Sequence, residues 1–394
     1  MSPFQWYVAA VGGWFLAFGL QSVVVSTIVA MELDGSSTAM AATQMAQQLP
    51  GFGLVLLGGA VADHVDRRAL LIGLYLAAAL LAAALGAGAA AGRLSLPVVI
   101  GYVLAMGTIT AFLMPSRDAM VSDLVAGNLM RAITTLTISQ FVMQAVGSSF
   151  GVAGRFVGLL PLIGLQTLVL LASVQALARL PRPEPASDGA RRALRLGELA
   201  DGVREVARSR ILAPVALLSA ALGTLFIGPF QVVFPLLVRD YYHGDVADLS
   251  LLYTTFPVGT IAGSALILLR GGVRRKGMAQ LIALASGALC LGSLGLGLPF
   301  WGALVATTIF GVGGAFFMNA GRTLFQEHTE AESRGRVLSV YTLTLMGASG
   351  ILGAPLAGWL QAQFGSLATC AVCAGAMLVV VAMIAVTTDV RKLV

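Results

Sequence analysis

Twelve apolar stretches, each about as long as a membrane crossing, follow one another along this 394-residue chain and leave it little choice of fold. A helix needs roughly twenty apolar residues to cross a hydrocarbon core of about 30 Å. Inside lipid every backbone N–H and C=O must be bonded within the protein, which leaves only helices and closed barrels. The spans read near 5 to 31, 38 to 61, 69 to 91, 96 to 119, 132 to 157, 161 to 180, 211 to 237, 247 to 269, 278 to 298, 300 to 322, 336 to 361 and 366 to 388. Charged residues make up 11% of the chain, against about a quarter in soluble domains, so the bilayer is its solvent. The expected fold is an all-α membrane protein of twelve transmembrane helices.

Basic residues orient those helices. With a cytoplasmic N-terminus the inner side collects Arg67, Arg68, Arg131, Arg179, the arginines between 182 and 210, Arg270 to Lys276, Arg334, Arg336, Arg391 and Lys392. Only Arg93, Arg155 and Arg239 fall near the outer face, which holds Glu32, Asp34, Asp240, Asp245 and Asp248. The positive-inside bias therefore places both termini in the cytoplasm. Basic residues divided among separate loops do not form a nucleic-acid surface. Met1 to Gln5 lacks the basic leader of a cleaved signal, so the first apolar run is expected to be a true span. Cys290, Cys370 and Cys373 lie in apolar runs and read as packing residues. Neither metal nor cofactor is expected, and ATP is not indicated because no phosphate-cradling GxxxxGK[ST] loop occurs.

The chain is two-fold in plan. Arg117 and Arg131 bracket the loop after span four as Arg322 and Arg336 bracket the loop after span ten. Gly19 to Val24 in span one has a likeness in Pro229 to Val233 of span seven, and Arg67-Arg68 has one in Arg274-Arg275. Three matches in the same order argue for a duplicated six-helix unit with substrate near the midplane. The expected domains are residues 1–180, a cytoplasmic linker at 181–210 and residues 211–394. Within the linker Leu196, Leu199, Val203 and Val206 recur at helical spacing opposite arginines. That is the pattern of an amphipathic helix on the inner membrane surface or of a solvated connector.

Gly59-Ala60-Val61-Ala62-Asp63-His64-Val65-Asp66-Arg67-Arg68 holds more charge than the roughly twenty residues on either side of it. It resembles the loop signature of the major facilitator superfamily, Gly-x-x-x-Asp-x-x-Gly-Arg-Arg, at Gly59, Asp63, Arg67 and Arg68, with Asp66 where the family has glycine. Pro115 to Val125 and Gln326 to Ser339 resemble the exporter branch, which includes macrolide efflux proteins, enterobactin exporters and lysophospholipid transporters. The resemblance implies two six-helix bundles working by alternating access. It further implies that Asp63 pairs with Arg117, forming a conformational latch with Gly59, Arg67 and Arg68. The second copy has lost the acid, with Arg270 near its place, so that latch would be asymmetric.

Gly147-Ser148-Ser149-Phe150-Gly151 in span five contains Gly-x-Ser-x-Gly, the pattern of a hydrolase nucleophile. A nucleophilic serine needs a base, and His64, His243 and His328 all fall in loops, so the chain is not expected to be an enzyme. Small residues there suit close helix contact instead, although the proline of the family's antiporter motif is missing. Polar side chains inside spans are the candidates for a substrate cavity: Gln21, Gln140, Gln144, Gln231, Asn319 and Tyr341. Nearby Phe18, Phe141, Met143, Phe230 and Phe234 suit an amphipathic organic cargo. Glu32, Asp34, Asp118 and Asp123 at helix ends are the candidates for proton coupling. The expectation is a monomeric secondary exporter of a drug-like or siderophore-like small molecule in the bacterial cytoplasmic membrane, partnered by lipid and by protons. A lysophospholipid transporter or an uncoupled facilitator is the alternative.

Overall fold

The computed structural model describes residues 2–124, 129–181, 196–329 and 334–393; within them the side chains at 55–60, 62–64, 122–123, 129–131, 133, 196–201, 334–336 and 339 lie outside the description. Its helices are α1 Pro3–Thr27, α2 Ser37–His64, α3 Arg67–Ala90, α4 Leu96–Leu124, α5 Leu129–Phe150, α6 Gly154–Val157 and α7 Leu159–Ala178. They continue as α8 Leu196–Arg208, α9 Leu212–Leu222, α10 Gly228–Asp240, α11 Val246–Leu269, α12 Lys276–Gly295, α13 Phe300–Glu327, α14 Arg334–Thr342 and α15 Ala354–Thr387. Nine segments among the described residues are long and apolar enough to cross a membrane. The last of them, Val340–Thr387, is broken at Gly365.

Local sequence explains the ends. Ser2 Oγ accepts from the Gln5 amide at 3.2 Å while Gln5 Oε1 accepts from the Ser2 amide at 2.8 Å, a reciprocal cap that starts α1. Asp66 caps α3 by accepting from the amides of Arg68 at 2.9 Å and Ala69 at 3.2 Å. Its φ of −56° lies far from the left-handed region, so the acid in place of the family's glycine is unstrained and stabilises the helix that follows. Gly158 between α6 and α7 and Gly365 within α15 share φ +76° with an extended ψ, a conformation open essentially to glycine alone.

By contact the chain forms two compact units. One contains residues 1–34, 46–194 and 245–254; the other contains 35–45, 195–244 and 255–394. In the first, α1 packs on α5 and α7, and α3 packs on α4 and α7. A Cβ on Gly147 would run into the Leu16 carbonyl, so glycine there sets how closely α5 approaches α1. In the second unit α12 packs on α13 and α15, and α10 packs on α15. Two π-helical segments, Gly223–Ile227 and Ser349–Gly353, meet there. The linker spacing is realised as α8, which docks Val206 among Leu212, Val215, Leu324, Phe325, Val337 and Val340. Val203, by contrast, is exposed.

Replacing Asp66 with alanine removes the cap of α3 and is expected to lower stability by about 1 kcal/mol. A lower thermal midpoint in detergent for Asp66→Ala, with Asp66→Asn close to wild type, is the expected result. Equal midpoints for the alanine variant and wild type would refute the capping role.

Candidate functional site

In the signature loop the side chains of Gly59 and Asp63 are outside the described residues, and so is the expected Asp63–Arg117 pair. Arg67 is buried. Arg68 Nε and an Nη donate to the carbonyls of Leu177 at 3.2 Å and Ala178 at 2.5 Å, placing a cation on the C-terminal end of α7. Arg117 donates to Asp118 Oδ1 from Nε at 2.9 Å and from an Nη at 2.7 Å, and lies 5.4 Å from the centroid of the Phe15 ring. The Tyr7 hydroxyl donates to the Arg117 carbonyl at 2.5 Å. Arg68 thus links α3 to α7, and Arg117 links α4 to α1, both inside the first unit.

The candidate polar residues divide by environment. Gln21 is 2% exposed and belongs to a triad: Tyr102 Oη donates to Gln21 Oε1 at 3.3 Å, and Gln166 Nε2 reaches Tyr102 Oη at 3.0 Å and Gln21 Oε1 at 3.4 Å. This network joins α1, α4 and α7. Gln140 and Gln144 are half-buried on one face of α5. Gln231 is half-buried in α10, and its Oε1 has no hydrogen-bond partner among the described residues. Asn319 is exposed on α13 and its amide donates to the Ala315 carbonyl at 2.8 Å. The Tyr341 hydroxyl, buried in α14, crowds Gly321 together with Gln280 Nε2 from α12, and neither polar atom has a hydrogen-bond partner among the described residues.

The second unit also holds an aromatic group, to which α10 contributes Phe230 and Phe234. Phe230 stacks on Phe234 at 4.8 Å and on Phe256 at 5.7 Å; Phe310 meets Phe256 at 5.2 Å and Phe226 at 4.9 Å. Thr255 and Thr307 share a 2.7 Å hydroxyl hydrogen bond beside them. Phe226, Phe230, Phe234, Phe310 and Thr307 line one small pocket with Cys290. The rings are tilted against one another and fill most of the space between these helices.

Among the acids, Glu32 and Asp34 are exposed and Asp34 has φ +46°. Asp118 is exposed beside Arg117, and the Asp123 side chain is outside the described residues. No described Asp or Glu is buried. Ser149 is exposed and donates to the Val146 carbonyl of its own helix at 2.8 Å.

One cluster has no counterpart in the spacing of the sequence, where Arg155 falls at the outer end of the fifth apolar span and Asp245 and Asp248 in an outer loop. Arg155 holds Asp245 in a two-pronged pair at 2.5 and 2.9 Å and reaches Asp248 at 3.1 Å. Those hydrogen bonds hold the Asp245 carboxyl below the usual carboxylate range, so the pair is fully formed above that range and is lost as pH falls through the lowered value. Asp245 also caps α11, accepting from the Ala247 amide at 2.8 Å. The Asp-x-x-Asp spacing ahead of an apolar run was the available sign of that cap.

With this geometry in place, comparison with known proteins identifies the class as a major facilitator transporter. The family profile described as transmembrane secretion effector matches residues 6–393, and the chain belongs to that family. It is 28% identical over 233 residues to the enterobactin exporter EntS of Citrobacter koseri, an alignment covering 59% of this chain and 50% of that protein. It is 29% identical over 124 residues to macrolide efflux protein A of Enterococcus faecalis, covering 30% of this chain and 38% of the relative. The chain therefore aligns with half or less of the length of these two curated relatives. Among solved structures, the nucleoside transporter NupG superposes with a TM-score of 0.79 at 11% identity, covering 98% of this chain and 99% of that one. A D-xylose-proton symporter gives 0.71 at 16%, covering 99% and 98%. At such identities the structures show the fold alone. The family and its relatives are transporters, not enzymes.

Gln166→Leu should leave Tyr102 and Gln21 short of a buried partner and cost about 1–3 kcal/mol of stability. Thermal unfolding is expected to show the loss. An unchanged midpoint would show that the triad contributes nothing to the packing of α1, α4 and α7.

Proposed function

We propose that this protein is a secondary active exporter of small amphipathic organic molecules, embedded in the bacterial cytoplasmic membrane. The observation that carries the reading is the family match across residues 6–393, joined by curated relatives that export enterobactin and macrolides. The proposed architecture is twelve crossings in two six-helix halves, 1–180 and 211–394, joined by the 181–210 linker, with both termini cytoplasmic. The halves work by alternating access. Gln140, Gln144 and Gln231 supply hydrogen bonds to the cargo and the aromatic group around Phe230 takes its apolar body, in keeping with the mixed polarity of small-molecule sites. Asn319 and Tyr341 complete the set on α13 and α14. Gln21 supports the site by holding the helices behind it. Asp63 is assigned to the latch with Gly59, Arg67, Arg68 and Arg117. Proton antiport is the proposed energy source, with Glu32, Asp34, Asp118 and Asp123 as the groups that exchange the proton.

The test begins with a panel of siderophores, macrolides and lysophospholipids screened by thermal stabilisation of the purified protein. Compounds that bind are then followed by flux in proteoliposomes. Export of a siderophore or macrolide, accelerated by an imposed pH gradient, is the expected result. Flux indifferent to that gradient would remove antiport and leave a facilitator; binding and transport of lysophospholipid alone would replace the cargo. Phe230→Ala and Gln231→Ala are expected to weaken cargo binding about tenfold each, the equivalent of about 1.4 kcal/mol.

A further inference from the structure

Cations gather at one rim of the second unit, drawn from two segments far apart in sequence. Arg270 follows α11, Arg274 and Arg275 stand in the turn ahead of α12, and Lys276 opens that helix. Gly271 and Gly272, at φ +71° and +107°, turn the chain sharply enough to keep these four side by side. The segment after α15 brings Arg391 and Lys392 on the 3₁₀ turn Val390–Lys392. That turn is seated on the start of α12. Val390 is buried, the Gly277 amide donates to the Leu393 carbonyl at 3.3 Å, and a Cβ on Gly277 would run into the Val390 carbonyl.

Two acids are paired within this group. Glu327 bonds Lys276 at 2.8 Å and Asp389 bonds Lys392 at 2.6 Å, so six cations against two acids leave an excess of four positive charges. Asp389, already bonded to Lys392, is also the acid that Arg391 acts on. Arg270, Arg274, Arg275 and Arg391 are all exposed. Exposed apolar side chains border them: Leu268 and Leu269 just before Arg270, Ile282 in the second turn of α12, and Met383 and Val386 near the end of α15.

An inward bias of basic residues asks only for a number of cations on one side of the membrane. It does not ask that two distant segments be packed together so that their like charges adjoin, a placement that repels unless an anion lies among them. Guanidinium groups suit phosphate oxygens, which they bond in pairs. Cations bordered by exposed leucine, isoleucine and valine match a molecule with an anionic head and apolar tails.

We propose that this rim binds an anionic phospholipid, with Arg270, Arg274, Arg275 and Arg391 holding the headgroup phosphate and the bordering apolar side chains meeting the acyl chains. The proposal rests on the membrane placement given above and adds a partner for one face of the second unit. A bound headgroup ties the turn after α11 to the segment after α15 and removes their mutual repulsion.

Binding of fluorescent phosphatidylglycerol and phosphatidylcholine to the purified chain in a neutral detergent tests this. Wild type is expected to hold phosphatidylglycerol about tenfold more tightly or better. Arg270→Gln, Arg274→Gln, Arg275→Gln and Arg391→Gln together are expected to abolish the preference. Arg191→Gln, Arg192→Gln, Arg208→Gln and Arg210→Gln together, the same loss of charge from the 181–210 linker, are expected to retain it. Thermal unfolding confirms that the compared proteins are folded, and Arg274→Gln with Arg391→Gln serves if the fourfold rim variant is not. Equal affinity of wild type for the two lipids, an unchanged preference in the folded rim variant, or an equal loss in the linker variant overturns the proposal. So does displacement of phosphatidylglycerol by inorganic phosphate at equal concentration, which marks a site for free phosphate instead. None of these measurements uses flux, so failure of lipid binding is distinct from failure of the export reading.

Discussion

Lipid offers the backbone no hydrogen bond, and most of this architecture follows from that one deficiency. A helix that satisfies itself is nearly featureless to its neighbours, because lipid tails are as apolar as leucine. Specificity therefore resides where helices depart from regularity. Gly147 lets α5 approach α1, the π-helical segments at Gly223–Ile227 and Ser349–Gly353 pack on one another, and Pro50 and Pro257 interrupt helices that are otherwise continuous.

Polar side chains serve two ends in this setting. The Gln21–Tyr102–Gln166 triad joins three helices through buried side chains, with Gln166 Oε1 left without a partner among the described residues. Gln231 is half-buried and makes no such cross-helix network: its Oε1 too has no partner among the described residues. A glutamine in an apolar run looks the same in either case. Which role it takes depends on whether a neighbouring helix brings a partner within reach.

Ion pairs show the same dependence on neighbours. Arg117 meets the acid next to it in sequence, and Arg68 meets carbonyls at the end of α7. Arg155, at the outer end of the fifth apolar span, meets Asp245 and Asp248 some ninety residues further along the chain. Such surface pairs contribute little energy singly.

Apolar run length made the helical membrane fold readable in advance, because the bilayer converts about twenty apolar residues directly into a crossing. Gly158 and Gly365 share one backbone conformation, φ +76° with an extended ψ. Part of the stretch at 181–210 is helical, as α8. Asp66 looked anomalous against its family signature because a one-dimensional motif carries no φ; the fold made it a helix cap. What sequence alone determined here is local or periodic: helices, their termini and the family. Tertiary structure decided which glutamines face one another, which arginine meets which acid, and which helices pass from one unit to the other. Those outcomes depend on side chains brought together from distant parts of the chain, and no spacing along it encodes them.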